Sequence, residues 1–237
     1  MLEDNTLKIK EFILDRYKEN LAGILIFGSA NTGEFKEEDS DIDHMIFLKE
    51  QGKINFEEET QFLIKSLKDY HFATQYFHSL ESIKNYIGSR KSFSTYITIV
   101  SKDGSRIVYT TPEFEKTKEY LKRNPPTKEE IQKFIEEKDK FELEGYFTNL
   151  TGYPLLKQLM CHLRRKLQIL NYFKTGELVF DYNFCLNNLE IKMNEKNDLK
   201  KLYERYKNRE ELSSSEVDYY KNLAAIFTEN ILKEDNK

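Results

Sequence analysis

Ile24-Leu25-Ile26-Phe27-Gly28-Ser29 runs through ANTGEFKEED into Ser40-Asp41-Ile42-Asp43-His44-Met45-Ile46-Phe47-Leu48. The two apolar, β-branched runs read as strands at 22–27 and 42–48, and Gly28-Ser29 marks the turn or helix start that ends the first. The second run carries two carboxylates, Asp41 and Asp43, at alternate positions. A carboxylate buried in a strand is unfavourable by several kcal/mol unless it is paired, hydrogen-bonded or bound to a cation. Two of them on one strand call for a shared partner, and a metal ion is the candidate.

Outward from this stretch, the first half of the chain alternates helix and strand patterns. Leu7, Ile9, Phe12, Ile13 and Tyr17 form a helical face within 4–19, and Phe56, Phe62, Leu63 and Leu67 form another within 55–69. A third strand is expected at 71–77 (HFATQYF), a short helix at 81–87, and strands at 93–100 (FSTYITIV) and 107–110 (IVYT). Asp103-Gly104 between the last two reads as a hairpin turn. Pro125-Pro126 breaks the chain, and Thr127 with Glu130 has the spacing of a capping box. Beyond it strand alternation nearly disappears, and helices are expected at 128–149, 153–174, 197–208 and 214–233, with a helix or irregular connection at 182–192. The expectation is an α+β chain: a mixed β-sheet domain with flanking helices over 1–124, then a helical bundle domain over 125–237.

Length and composition agree with two domains. The 237 residues are 39% hydrophobic and 33% charged, and Tyr 15 and Phe 17 supply wide apolar faces. A net charge of −4 leaves no basic excess to draw the chain onto nucleic acid, which is not an expected partner. No apolar run approaches the ~20 residues of a membrane span. Cys161 and Cys185 lack metal-ligand spacing, and MLEDNTLKIK lacks the order of a secretory signal. The expected location is the reducing cytoplasm, without membrane attachment.

Residues i and i+2 of a strand share a face, so Asp41 and Asp43 can present both carboxylates to one site while Ile42 packs inward. Magnesium favours such hard oxygen ligands together with nucleotide phosphates. At Gly28 the missing β-carbon lets phosphate approach the backbone, and Ser29 can donate a hydrogen bond beside the free N–H groups of a helix start. The basic triplet Arg164-Arg165-Lys166 reads as a largely solvated helix face, and the four histidines as packing or surface residues.

FGSANTGEFKEEDSDIDHMIFL, Phe27 to Leu48, resembles the signature of the polymerase-β-like nucleotidyltransferase superfamily: an apolar strand ending in Gly-Ser, a Gly-containing connection, and an Asp-hydrophobic-Asp strand. The resemblance implies a nucleotidyltransferase-like first domain, with Gly28 and Ser29 on the nucleoside triphosphate, Lys36 and Ser40 as further nucleotide contacts, and Asp41 and Asp43 as magnesium ligands. Lys36-Glu37-Glu38-Asp39 reads equally well as an ordinary charged loop. Known members add a third carboxylate from a later strand; in the matching HFATQYF the inward candidates are Thr74, Gln75 or Tyr76, none a carboxylate, and Gln75 could bind a metal through its carbonyl. The stretch KFELEGYFTNLTGYPLLKQLMCHLRRKLQIL resembles the helical region of antibiotic nucleotidyltransferases acting on aminoglycosides or lincosamides. It implies Glu144 as the base and Glu142, Tyr146 and Tyr153 as acceptor contacts. The activity so implied is magnesium-dependent transfer of a nucleoside monophosphate, from ATP or another triphosphate, to a hydroxyl of a small molecule such as an antibiotic. The alternatives are transfer to a protein or RNA end, and a catalytically silent binding or antitoxin module. A homodimer is compatible with each.

Overall fold

The computed structural model describes residues 1–38, 40–85 and 92–233, with the backbone alone at Gln75 and Ser92. The chain forms two compact units, Met1–Ile87 with Thr95–Pro125, and Gly88–Ser94 with Pro126–Lys237.

The first unit opens with α1 (Leu2–Tyr17), whose Ile9, Ile13 and Tyr17 repeat every four residues and are buried. It continues through β1 (Leu21–Phe27), the single-turn α2 (Ser29–Thr32), β2 (Ile42–Leu48), α3 (Phe56–Ser66), β3 (Phe72–Ser79), α4 (Leu80–Asn85), α5 (Ser92–Val100), β4 (Arg106–Thr110) and α6 (Pro112–Arg123). The sheet order is β3-β2-β1-β4, with β1 antiparallel to β2 and β4, and β2 parallel to β3. Parallel pairing requires a long crossover, which α3 supplies. Ile24, Ile26, Ile42, Ile46 and Leu48 face α1 and Leu63 of α3, forming the core of the unit. The next residue along each strand points to the other face. Phe47 packs there against Phe114 of α6, ring centroids 4.8 Å apart.

His44 shares the α1 face and is fully buried, its Nδ1 2.6 Å from the Ile42 carbonyl oxygen. Burial pushes its pKa down to about 4, against the hydrogen bonds to Ile42 and Ala73 backbone that favour the charged ring. An unfolded chain takes up this proton near pH 6.5 and the folded chain only near pH 4. Over that window the unfolded state therefore binds more protons, and stability falls as pH is lowered. Full above pH 6.5, the contribution declines by about 3 kcal/mol by pH 4. Urea unfolding from pH 7 to 4 is expected to show this decline in the native chain and to lack it in His44→Leu; an equal decline in both would refute the assignment.

The structure corrects one strand. Residues 93–100, expected as β, form α5, and β4 pairs with β1 in place of a hairpin. Phe93, Thr95, Tyr96, Ile97, Thr98 and Ile99 are all buried. The run is therefore covered all round, a pattern in which apolar periodicity does not distinguish helix from strand, and packing overrides β-branched propensity. Asp103-Gly104 lies in the turn from α5 into β4. A β-carbon at Gly104 would stand 2.2 Å from the Ser101 hydroxyl and 3.1 Å from the Ile97 carbonyl oxygen, so close backbone approach selects glycine there.

The second unit is helical, completing the expected α+β plan. Past the proline pair, the capping box at Thr127 and Glu130 is formed and starts α7 (Lys128–Glu142). The single helix expected to run to 149 ends at Glu142. The turn Leu143–Gly145 and a 3-10 segment Tyr146–Asn149 follow, before α8 (Gly152–Thr175). The central α8 packs against α9 (Tyr182–Asn188), α10 (Met193–Asn208) and α11 (Ser214–Lys233). Leu156, Leu159, Leu163 and Leu167 fill its buried stripe, and Leu223, Ala224, Phe227 and Ile231 that of α11. Among the described residues no helix is long and apolar enough to cross a membrane.

Candidate functional site

Antiparallel pairing of β1 and β2 sets the end of one beside the start of the other. Phe27 lies opposite Asp43. Gly28 follows with φ 67° and ψ −149°, a conformation open to glycine and strained for other residues. A β-carbon at Gly28 would stand 2.6 Å from Asp43 Oδ2, so the carboxylate occupies the space that the missing side chain leaves. Gly28→Ala is accordingly expected to lower stability by about 1–3 kcal/mol through backbone strain and to displace the Asp43 carboxylate. Thermal unfolding checks the first effect, and a crystal structure of the variant the second.

Asp41 directly precedes β2 and is exposed, Ile42 is fully buried, and Asp43 is half-buried. The two carboxylates thus stand at the accessible mouth of the sheet, and the desolvation implied by a buried strand falls on His44 instead. Between the strands, the N–H groups of Asn31 and Thr32 bond the Gly28 carbonyl oxygen, which leaves the Ser29 and Ala30 N–H groups at the helix start. The Asn31 side chain donates to the Asp103 carbonyl oxygen, tying this turn to the one before β4. Ser40 closes the next turn reciprocally. Its hydroxyl accepts from Lys36 N–H at 3.0 Å, and its own N–H bonds the Lys36 carbonyl oxygen at 2.8 Å. Lys36 is exposed. The structure therefore brings Gly28, Ser29 and Asp43 to one strand junction and holds Asp41 between β2 and the 36–40 turn.

On β3, the register sets Ala73 beside Asp43 and Thr74 beside His44, then shifts so that Tyr76 pairs with Met45. Gln75 is the extra residue of this bulge, two positions beyond the residue that flanks Asp43. Among the described residues no group of three His, Cys, Asp or Glu side chains could hold a metal ion. Two hard carboxylates do fit a magnesium ion whose remaining ligands are phosphate oxygens and water.

The remaining expected residues lie in the helical unit. Glu144 is exposed in the turn after α7, and Tyr146 is exposed just beyond it. The Tyr146 ring runs parallel to that of Phe141, 8° between planes and 6.1 Å between centroids. Both line an open depression of about 810 Å³, with Glu137, Lys140, Thr148 and Asn149 around them. Tyr153, at the start of α8, stacks on Tyr206 with 6.2 Å between centroids and lies under the Arg209 guanidinium.

Glu142 is buried and belongs to a network of charges that no run of sequence announces. Its carboxylate accepts from Lys138 at 2.9 Å, Arg165 at 3.1 Å and His162 Nδ1 at 2.5 Å. Asp139, one turn earlier, accepts from Lys166 Nζ at 2.6 and 2.8 Å and from the Thr228 hydroxyl at 2.5 Å. Lys166 is fully buried and also donates to Thr228. Burial opposes ionisation of both acids, yet His162 with Arg165 and Lys138 holds Glu142 well below the usual carboxylate range, and His162 with Lys166 lowers Asp139. The basic triplet is thus not a solvated face. Arg164 covers the Phe180 ring, Arg165 meets Glu142, and Lys166 points inward, because three successive residues of a helix face three directions. The spacing Asp139/Glu142 on one helix and His162/Arg165/Lys166 on the next was the available signal.

Residues 7–95 match the family model described as a nucleotidyltransferase domain. Among solved structures, spectinomycin adenyltransferase AAD(9) from Enterococcus faecialis, crystallised with ATP and spectinomycin, is similar with a TM-score of 0.56 and 13% identity. The likeness covers 94% of this chain and 98% of that one, and it is a likeness of fold. No curated protein sequence matches the chain significantly. The first unit therefore contains a stretch that matches a nucleotidyltransferase domain, and the likeness over the whole chain is one of fold.

Proposed function

We propose that the chain transfers a nucleoside monophosphate from a nucleoside triphosphate, ATP foremost, to a hydroxyl of a small molecule, an antibiotic being the acceptor class. The observation that carries this reading is the Gly28–Asp43 contact at the junction of β1 and β2, which places a carboxylate beside the backbone that would approach phosphate. Asp41 and Asp43 would hold magnesium, which when bound aligns the triphosphate and offsets its charge. Ser29 and the N–H groups at the start of α2 would donate to phosphate oxygens, with Lys36 alongside. Ser40 holds the turn that leads into Asp41.

Residues 125–237 would present the acceptor. Tyr146 would offer a ring face, with Tyr153, in its stack on Tyr206, at the start of α8. Glu142, buried among Lys138, His162 and Arg165, would act only by supporting the turn that carries Glu144. Glu144 would take the proton of the acceptor hydroxyl. That oxygen bonds the α-phosphorus as the bond to pyrophosphate breaks. The fold likeness to an adenyltransferase of similar length supports the reading, as does the domain match over 7–95.

Calorimetry with each of the four triphosphates tests the donor site. Binding that requires magnesium is expected, and its absence in a folded sample would overturn the assignment. Gln75→Glu is expected to tighten magnesium binding if Gln75 is the third ligand; unchanged affinity would remove it from the site. A second reading, a silent nucleotide-binding module, draws on Ala73 standing where a carboxylate would flank Asp43. It predicts binding without transfer to any small-molecule, protein or RNA acceptor.

A further inference from the structure

Asp43 has unlike neighbours on the two flanks of its strand. Toward β1 it faces Phe27 and the bare backbone of Gly28, and toward β3 the register sets Ala73 beside it. Paired residues of neighbouring strands share a face of the sheet, so Ala73 brings a methyl group to the surface that carries the carboxylate. Phe72, one residue earlier, belongs to the core under α1 on the opposite face, where its ring meets that of His44 with 4.9 Å between centroids.

Regular alternation from Ala73 would send Tyr76 to the α1 face, beside Ile46. The bulge at Gln75 adds one residue, so Tyr76 pairs with Met45 and its ring comes to the Asp43 face. There it meets the Phe27 ring edge-on, 5.7 Å between centroids and 66° between planes, and stacks beside His78 at 6.4 Å and 27°. Phe27 belongs to β1 and Tyr76 to β3, so the two rings meet across β2, next to the buried Met45. Two half-buried rings thus bound the Asp43 surface along β2, and on the β3 flank the surface is low, with a methyl group at its floor.

Nucleotidyl transfer gives this asymmetry a chemical use. The attacking and leaving oxygens of such a displacement stand roughly in line through phosphorus. With the phosphates along Gly28 and Ser29, pyrophosphate leaves on the β1 side of Asp43, and the attacking oxygen has to arrive from the β3 side. We propose that Ala73 and Tyr76 form the acceptor's entry to the first unit: the hydroxyl reaches the α-phosphorus over the Ala73 methyl, with the Tyr76 ring as its wall. The acceptor oxygen bonds the α-phosphorus as the bond to the pyrophosphate oxygen breaks, and the hydroxyl proton passes to the base already assigned, Glu144. Ala73, on the transfer reading on which this assignment rests, is a specificity-determining residue. Its short side chain leaves room for a hydroxyl borne on a substituted carbon, which a longer side chain at 73 would exclude.

The test uses the full chain labelled at its alanine methyl groups, at positions 22, 30, 73, 224 and 225. With magnesium and the non-transferable analogue α,β-methylene-ATP bound, glycerol added as a hydroxyl probe should give nuclear Overhauser transfer to the Ala73 methyl. Ala22, fully buried in β1, should receive none. In the transfer assay, with the hydroxyl compound that gains the nucleotide mass, Ala73→Leu should lower kcat/KM for that compound by about tenfold or more. Ala73→Gly should keep it within about twofold, and both variants should bind magnesium-ATP within about twofold of the native chain. No transfer from glycerol to Ala73 with the analogue bound, or a folded Ala73→Leu chain with native kcat/KM for the acceptor, would overturn the assignment alone. A native chain that binds no analogue, or transfers to no acceptor, would sink the enzymatic reading and the assignment with it. The methyl measurement is made on the native chain, so it decides the matter even where Ala73→Leu fails to fold.

Discussion

Asp43→Asn is expected to reduce nucleotidyl transfer by more than about 10²-fold while leaving the fold intact, since the change removes anionic charge from the strand junction and keeps the side-chain shape. Asp41→Asn should behave alike, with an even smaller structural effect, because Asp41 is exposed. Asp43 lies against Gly28, so its amide still fills the same space. Stability is measured separately, by thermal unfolding, because removing one of two neighbouring like charges can itself stabilise. The informative assay is mass spectrometry of an acceptor library incubated with magnesium and each labelled triphosphate. The native chain should add the mass of one nucleoside monophosphate to its acceptor, and both folded variants should fail to. Full transfer by either variant would place the reaction centre elsewhere.

The largest stability effect is expected in the helical unit. Lys166 is fully buried, and lysines in that position are almost always paired. Burial lowers its pKa, and Asp139 works against that shift and keeps the ammonium in place. Asp139→Ala leaves this ammonium and one nitrogen of His162 without their carboxylate, which should destabilise the unit by about 3–5 kcal/mol. The double variant Asp139→Ala/Lys166→Met should recover much of the loss, since an apolar chain of similar length replaces the orphaned charge. Urea unfolding of the native chain, both single variants and the double variant gives the coupling directly. A loss under about 1 kcal/mol in Asp139→Ala would mean that the network contributes little.

The sequence by itself determined the strand–turn–strand at 21–48. Its signals are local: two short apolar, β-branched runs, a glycine where φ must be positive, and carboxylates on either side of Ile42. The capping box at Thr127 was legible for the same reason, being set by residues three positions apart. Tertiary structure alone decided what depends on distant chain. The run 93–100 has strand-forming residues but becomes α5, because cover from all sides rewards any backbone that buries every side chain. Ala73 stands beside Asp43, and Gln75 falls in a bulge, because the β2–β3 register is chosen by packing across a crossover. Asp139 and His162, 23 positions apart in sequence, meet only when α7 and α8 pack. The neighbouring Arg164-Arg165-Lys166 read as a solvated face on its helix alone, and burial supplies the low-dielectric setting in which the pairing of Lys166 and Asp139 becomes obligatory.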